Sequence, residues 1–422
     1  MIPRWQEQSV RRAMEVRRGV HLTGARQCGK TTLAEYISAG GMKHISLDEQ
    51  MYLKSAKSDP SSFVERPDGK PLVIDEIQKA PELLDAIKVQ LDHNNEKGQF
   101  LLTGSSNLRF MKSVKDSLAG RLKTVRLRTL SLGELRGTAG NFLEAAFAQK
   151  YPAELPKLDK RGVISLAFKG GYPEAMDLDA HDRRGWFEDY LSDLLVKDIK
   201  ELTEIRKVSS LRKVAEWLLA YTSRFFDMKD LCSQARIAKE TADGYLEALK
   251  ALYVFDGLEP WAKSDYAKIG KRTKYFAADP GLVANLLGWN EERTFYDDDA
   301  NGKLVETWAY HELASLIDKS MEYKMTQYRD SDKREIDFVI ERDDGATLGI
   351  EVKAGGGVPG RLQTSEVVLG ESCARPFCWR GIVFWQGSSP VWAEYVRSST
   401  FGAGDVKAGG EVREEAIGYD DI

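Results

Sequence analysis

A chain of 422 residues exceeds one ordinary domain, and two to four are expected. With 42% hydrophobic and 30% charged residues, it has the composition of a soluble globular protein with enough apolar material for real cores. Net charge is −4, and the tail from Phe401 to Ile422 holds six acids against two bases, which leaves the body neutral. A global basic field is thereby excluded, and any nucleic-acid surface must be a local patch.

The four cysteines, Cys28, Cys232, Cys373 and Cys378, are scattered and complete no zinc-like set, so a reducing interior fits them best. The N-terminus lacks the charged-then-apolar layout of a signal peptide, and no apolar run is long enough to span a membrane. The chain is expected to be cytoplasmic, with no membrane partner.

Residues 1–140 alternate short apolar strands with helical stretches, the pattern of an α/β domain with a parallel sheet wrapped by helices. Strands are expected at Val20–Thr23, His44–Leu47, Leu72–Ile74, Phe100–Thr103 and Val125–Leu127. The first of these runs into Gly24-Ala25-Arg26-Gln27-Cys28-Gly29-Lys30-Thr31, which fits G-x-x-x-x-G-K-[ST] at every defined position, and Thr32 continues into a helix. Glycines let backbone N–H groups close around phosphate oxygens, and the helix N-terminus adds a positive dipole. Lys30 is expected to reach the β- and γ-phosphates of ATP, and Thr31 to ligate Mg²⁺. Cys28 is read as a thiol activated by Lys30 and the helix terminus, or else as a small apolar filler.

About 45 residues on, the apolar strand Leu72-Val73-Ile74 ends in Asp75 and Glu76. Asp75 suits a Mg²⁺ ligand, and Glu76 a base that polarises attacking water. Phe100–Ser106 is another apolar strand ending in hydroxyls, so Thr103 is expected to sense the γ-phosphate or simply to begin a turn. Arg121 is read either as a finger onto a neighbouring subunit's γ-phosphate or as a surface or cis contact.

Residues 141–206 read as helical, and 207–275 as three helices followed by a hairpin. Lys239, Thr241 and Lys250, with Lys263, Lys268, Lys271, Arg272 and Lys274 and the aromatics Tyr266 and Tyr275, offer a DNA surface, a solvated wing or a docking face. In 276–398 a helix carries Leu304, Val305, Trp308, Ala309, Leu313, Leu316 and Ile317 as one stripe with Glu306 beside it. A hairpin Glu335–Ile340 and Thr347–Lys353 turns at Asp343-Asp344-Gly345. Alternation puts Ile336, Phe338, Ile340, Leu348, Ile350 and Val352 on one face and Asp337, Glu351 and Lys353 on the other. Two carboxylates there could hold a divalent cation, with Lys353 orienting or deprotonating a water, or the face could be merely solvated. Residues 399–422 are expected to be a disordered acidic tail.

These segments together resemble the prokaryotic AAA-type P-loop ATPases that carry a C-terminal DUF4143 domain. The resemblance covers about residues 1–398. Its marks are Thr23–Leu33, Val73-Ile74-Asp75-Glu76-Ile77-Gln78, Leu102–Ser106, Gly170-Gly171-Tyr172-Pro173-Glu174, Phe276–Leu282, and Glu335-Ile336-Asp337 with Ile350-Glu351-Val352-Lys353. Cys28 stands where that family has an aliphatic residue. The resemblance implies an AAA-like module (1–140), a helical lid (141–206), a winged helix (207–275) and a PD-(D/E)XK nuclease-like domain (276–398). The resemblance says little of biological role; the expected activity is ATP hydrolysis coupled to binding, remodelling or cutting DNA, in a homo-oligomer. Asp337, Glu351 and Glu306 would hold a second divalent metal, and Lys353 would act as a catalytic residue. The alternative is a regulatory ATPase switch whose C-terminal domain is an inactive docking module for protein or nucleic acid.

Overall fold

The computed structural model describes residues 1–105, 118, 120–148, 150, 159–199, 208–262, 272–320, 322–330, 332–354 and 383–384. Its N-terminal part is a five-stranded sheet of β1 (Gly19–Thr23), β2 (Lys43–Ser46), β3 (Leu72–Asp75), β4 (Phe100–Gly104) and β5 (Leu122–Arg126), in the order β2-β3-β4-β1-β5. Every neighbouring pair is parallel. All residues of β1, β3 and β4 are buried, as strands covered by helices on both faces must be. That is why these segments read as apolar runs rather than alternations. The expected fifth strand is placed too late, since pairing with β1 begins at Leu122.

Parallel pairing brings the carboxyl ends of β1, β3, β4 and β5 to one edge, the place where open α/β sheets put their ligands. Strand β4 lies between β1 and β3, so the phosphate loop and the Asp75 strand flank the Thr103 strand.

Helices Val208–Ala220, Met228–Ala235 and Lys239–Ala251 precede an antiparallel pair, β6 (Phe255–Leu258) and β7 (Lys274–Ala277). The helix Asp298–Lys319 then leads to β8 (Tyr323–Arg329), β9 (Glu335–Arg342), β10 (Thr347–Val352) and β11 (Val383–Phe384), ordered β11-β10-β9-β8. The register opposes Ile340 to Leu348 and Phe338 to Ile350, as alternation requires. The opposite face is only partly solvated: Val339 is buried with Trp261 and Tyr328, while Lys353 is exposed. The long helix is likewise buried beyond its apolar stripe, with Glu306, Thr307, His311 and Ser315 enclosed.

One apolar core runs without interruption from Val10 to Leu304. A second gathers Leu258, Phe276, Tyr310, Phe338 and Ile350. The polar junction between the sheet and the rest is the segment leaving β5. Arg126 donates to Asp256 Oδ1 at 2.8 Å and to Oδ2 at 3.1 Å, and Arg128 donates to Oδ2 at 2.7 Å. Arg128 also donates to Asp318 at 2.6 Å, and Tyr310 O–H to Asp256 at 2.9 Å. Burial opposes ionisation of Asp256, but the two guanidiniums outweigh it and hold its carboxyl well below the usual range. Thr129 donates to Asp279 at 2.6 Å, and Leu130 N–H to Gly171 O at 2.8 Å.

Removing one partner from such a buried set leaves charges uncompensated, at a cost of roughly 3–5 kcal/mol. Asp256→Ala should therefore lower unfolding free energy by about that amount in urea titrations. A change below about 0.5 kcal/mol would mean the junction is solvated.

Candidate functional site

The phosphate loop sits in tight quarters. A Cβ at Gly24 would lie 2.0 Å from Leu127 O, so only glycine fits beside the β5 exit. Gly29 adopts φ +98°, a left-handed conformation that favours glycine, and caps the helix Lys30–Ser38. Arg4 holds the loop from the other side, donating to Cys28 O at 2.8 Å, to Arg128 O at 2.6 Å and to Glu134 at 3.0 Å. Gln27 donates to Glu174 at 3.3 Å, and Tyr190 O–H to Arg26 O at 3.4 Å. Ala25 is buried, while Thr32 is exposed on the first helical turn.

Of the two readings of Cys28, the geometry favours the small apolar filler. Its side chain is fully buried and its Sγ donates to Leu127 O at 3.4 Å, so packing turns the thiol into the core. Slow alkylation, equal with and without Mg²⁺-ATP, is the expected outcome in thiol-labelling kinetics.

Lys30 is buried at 4% exposure, and its Nζ donates to Gly24 O at 3.1 Å and Ala25 O at 2.7 Å. Thr31 donates to Asp75 Oδ2 at 2.9 Å. A hydroxyl and a carboxylate so paired form an oxygen donor set that fits Mg²⁺. Thr103, expected at the γ-phosphate, instead donates its hydroxyl to Asp75 Oδ1 and accepts the Glu76 backbone N–H at 3.3 Å. Burial raises the Glu76 carboxyl, partly offset by Lys30 and by a hydrogen bond from Gln78. A raised carboxyl is better matched to accepting a proton near neutral pH.

Two members of this site were given no role in the sequence reading. Gln78 stands two residues after Glu76 and could have been suspected from that spacing. Arg4 carried no signal, because its partner Glu134 is 130 residues away.

Arg121 lies beside Gly19 at the opposite end of the sheet from its own phosphate loop. It donates to Asp92 through Nε at 2.6 Å and through Nη2 at 2.9 Å.

The C-terminal carboxylates line a cleft of about 720 Å³ with Arg224, Lys274, Glu306, Asp337, Glu351 and Lys353 among its walls. The expected metal set of Asp337, Glu351 and Glu306 meets a lysine here. The Lys274 ammonium, 3% exposed, lies 2.5 Å from Glu306 and 3.2 Å from Asp337, where a cation would be held. Asp337 Oδ2 accepts Val352 N–H at 2.9 Å, and Lys353 donates to Glu351 at 2.5 Å. Among the described residues no group of three His, Cys, Asp or Glu side chains is arranged to hold a metal. Burial, against the pull of Lys274, pushes Glu306 up to about 7, and burial with Asp337 nearby raises Glu351.

The expected DNA face is also altered. Lys274 points inward, Lys250 donates to Glu247 at 2.8 Å, and Arg272 pairs with Asp227 at 3.5 Å. Lys239 and Thr241 are exposed. Lys263, Tyr266, Lys268, Lys271, Ser106, Cys373, Cys378 and the acidic tail lie outside the described residues.

Known proteins bear on this geometry. Residues 16–136 match an AAA domain, 160–293 a domain of unknown function (DUF8612), and 301–365 a domain of unknown function (DUF4143). The chain thus carries an AAA domain followed by a C-terminal DUF4143 domain. It is 26% identical over 349 residues to the uncharacterized protein Mb2031c of Mycobacterium bovis, covering 82% of this chain and 72% of that one. The same figures hold for the uncharacterized protein Rv2008c of Mycobacterium tuberculosis. The Walker-type ATPase PABY2304 of Pyrococcus abyssi is 16% identical at a TM-score of 0.40, over 68% of this chain and 96% of that one. The RuvB Holliday junction branch migration motor of Thermotoga maritima is 17% identical at 0.27, over 67% and 94%. Likenesses this slight carry no functional weight. No helix among the described residues is long and apolar enough to cross a membrane.

Glu306 generates a pH prediction. Its folded pKa of about 7 lies above the ordinary value of 4.5, so the native state binds the extra proton between them. Its contribution is full below about pH 4.5 and is lost as pH rises through 7, by at most about 3 kcal/mol. Glu306→Gln should remove this fall, read as the difference between wild-type and variant urea stabilities across pH 4.5–8. Parallel curves would contradict it.

Proposed function

We propose that this chain is an ATP-driven switch. It binds Mg²⁺-ATP at Gly24–Thr31, hydrolyses it with Glu76 as base, and passes the nucleotide state through the β5 exit to a C-terminal docking cleft. The observation that carries this reading is the Arg126–Asp256–Arg128 junction. It adjoins Leu127, whose carbonyl faces Gly24 and accepts from Cys28. Any displacement of the phosphate loop presses on that carbonyl, and thereby on residues bonded to the C-terminal half. Thr23 Oγ1 and the Tyr253 hydroxyl, 2.6 Å apart, make a second link from the end of β1.

Lys30 neutralises phosphate charge, and the loop N–H groups orient the phosphates. The Thr31 hydroxyl and Asp75 would hold Mg²⁺, which when bound adds charge neutralisation at the transferring phosphoryl group. Glu76 polarises the attacking water and takes its proton as the bond to phosphorus forms and the bond to the ADP oxygen breaks.

The DNA-processing reading is less well supported, because Lys274 fills the space between the carboxylates that cleavage would need for a metal. DNA binding at the exposed Lys239 and Thr241 remains compatible with a switch. Oligomer formation is likewise part of the proposal only if Arg121 leaves Asp92.

Glu76→Gln should retain ATP while kcat falls by roughly 100-fold or more, and Lys30→Ala should weaken binding itself. Both are read by fluorescent-nucleotide titration alongside phosphate release. ATP turnover should be indifferent to single-stranded, duplex or branched DNA at low ionic strength. DNA stimulation with metal-dependent cutting, lost in Asp337→Ala and Glu351→Ala, would restore the processing reading. Mixtures of Arg121→Ala with Lys30→Ala protein should show no recovered turnover, and recovery would establish a finger acting between subunits.

A further inference from the structure

The hydrolytic site contains one buried polar side chain that neither the phosphate loop nor the acidic pair accounts for. Gln78 lies in the short helical turn Ile77–Lys79 that follows β3. Its Nε2 donates to Glu76 Oε2 and also to Ser105 Oγ at 3.1 Å. Its Oε1 is buried and has no hydrogen-bond partner among the described residues. An unpaired buried carbonyl oxygen weakens a fold, so packing alone favours an apolar side chain of the same volume here. What the amide supplies that a methionine could not is its N–H donor, and that donor is aimed at Glu76.

The surroundings point the same way. Glu76 adopts φ +57° and ψ +45°, a left-handed backbone conformation that is costly for a residue with a Cβ. It is held there by its N–H on Thr103 Oγ1 at one end and by the Gln78 amide on its carboxylate at the other. Both supports reach to the end of β4, through Thr103 and through Ser105. Between them stands Gly104, where a Cβ would come within 2.8 Å of Gln78 Oε1. The glycine leaves room for the amide.

We propose that Gln78 is the positioning residue for the Glu76 base, wedged into the space left by Gly104 and tying the carboxylate to the end of strand β4. The inference rests on the hydrolytic reading above. Gln78 engages Oε2 of the carboxylate, which fixes the side-chain torsions and commits Oε1 to the water. In this role Gln78 acts through Glu76.

The test uses Gln78→Met, which keeps volume and removes the unpaired oxygen, and Gly104→Ala, which pushes on the amide without altering it. Both are measured on the full chain. In each, fluorescent-nucleotide affinity should stay within about twofold of wild type while kcat drops roughly tenfold or more at unchanged KM. The melting temperature of Gln78→Met should equal or exceed that of wild type, the opposite of what a structural role gives. Wild-type kcat in Gln78→Met would overturn the proposal, as would a slowed kcat accompanied by a lowered melting temperature. Glu76→Gln, run in parallel, separates the two layers. If it binds ATP and does not turn over while Gln78→Met is normal, only the role of Gln78 falls. If it hydrolyses at the wild-type rate, or wild type has no turnover, the hydrolytic reading falls and takes this one with it.

Discussion

The Asp256 carboxylate, enclosed by Arg126, Arg128 and Tyr310, is the interaction on which the arrangement of this molecule turns. A lone carboxylate would not tolerate that burial, and neither would either guanidinium. Each is acceptable only because the others are present, so the sheet, the β6–β7 pair and the long helix must come together at one geometry. Arg126 also lies over the Tyr253 ring at 4.8 Å, and burial pushes that phenol up to about 12. Tyr253 therefore stays protonated at neutral pH, a hydroxyl paired with Thr23 at the mouth of the phosphate loop.

The same logic governs the acidic end of β3. Asp75 is 1% exposed and accepts from Thr31 and Thr103 together, so the carboxylate is satisfied before any metal arrives. Strand order is what makes this possible: β4 inserted between β1 and β3 places Thr103 beside Asp75, within reach of Thr31. The polar groups of the site are thus pre-organised by a sheet whose interior is otherwise apolar. Preorganised groups need little rearrangement as charge develops.

At the far end of the chain a different solution appears. Glu306 and Asp337 come from a helix and a strand that pack closely, and two carboxylates so near each other repel unless a cation intervenes. The β7 residue Lys274 supplies it, from a segment distant in sequence. The result is an internal ion triad that fastens the DUF4143 cleft to the preceding hairpin.

The amino-acid sequence by itself determined the parallel α/β core, the phosphate loop, Asp75 and Glu76, and the register of the β9–β10 hairpin. These are local signals: a glycine spacing, an apolar run ending in acids, and alternation on either side of a turn. Only the tertiary structure decided that the Cys28 thiol faces Leu127, that Arg121 clasps Asp92, that Gln78 leans on Glu76 across Gly104, and that Lys274 sits between Glu306 and Asp337. The physical reason is reach. An arginine or lysine carries the same charge whether it is solvated or folded against a partner 63 residues away, as Lys274 is from Asp337. Composition and spacing record that charge, but only packing chooses the partner.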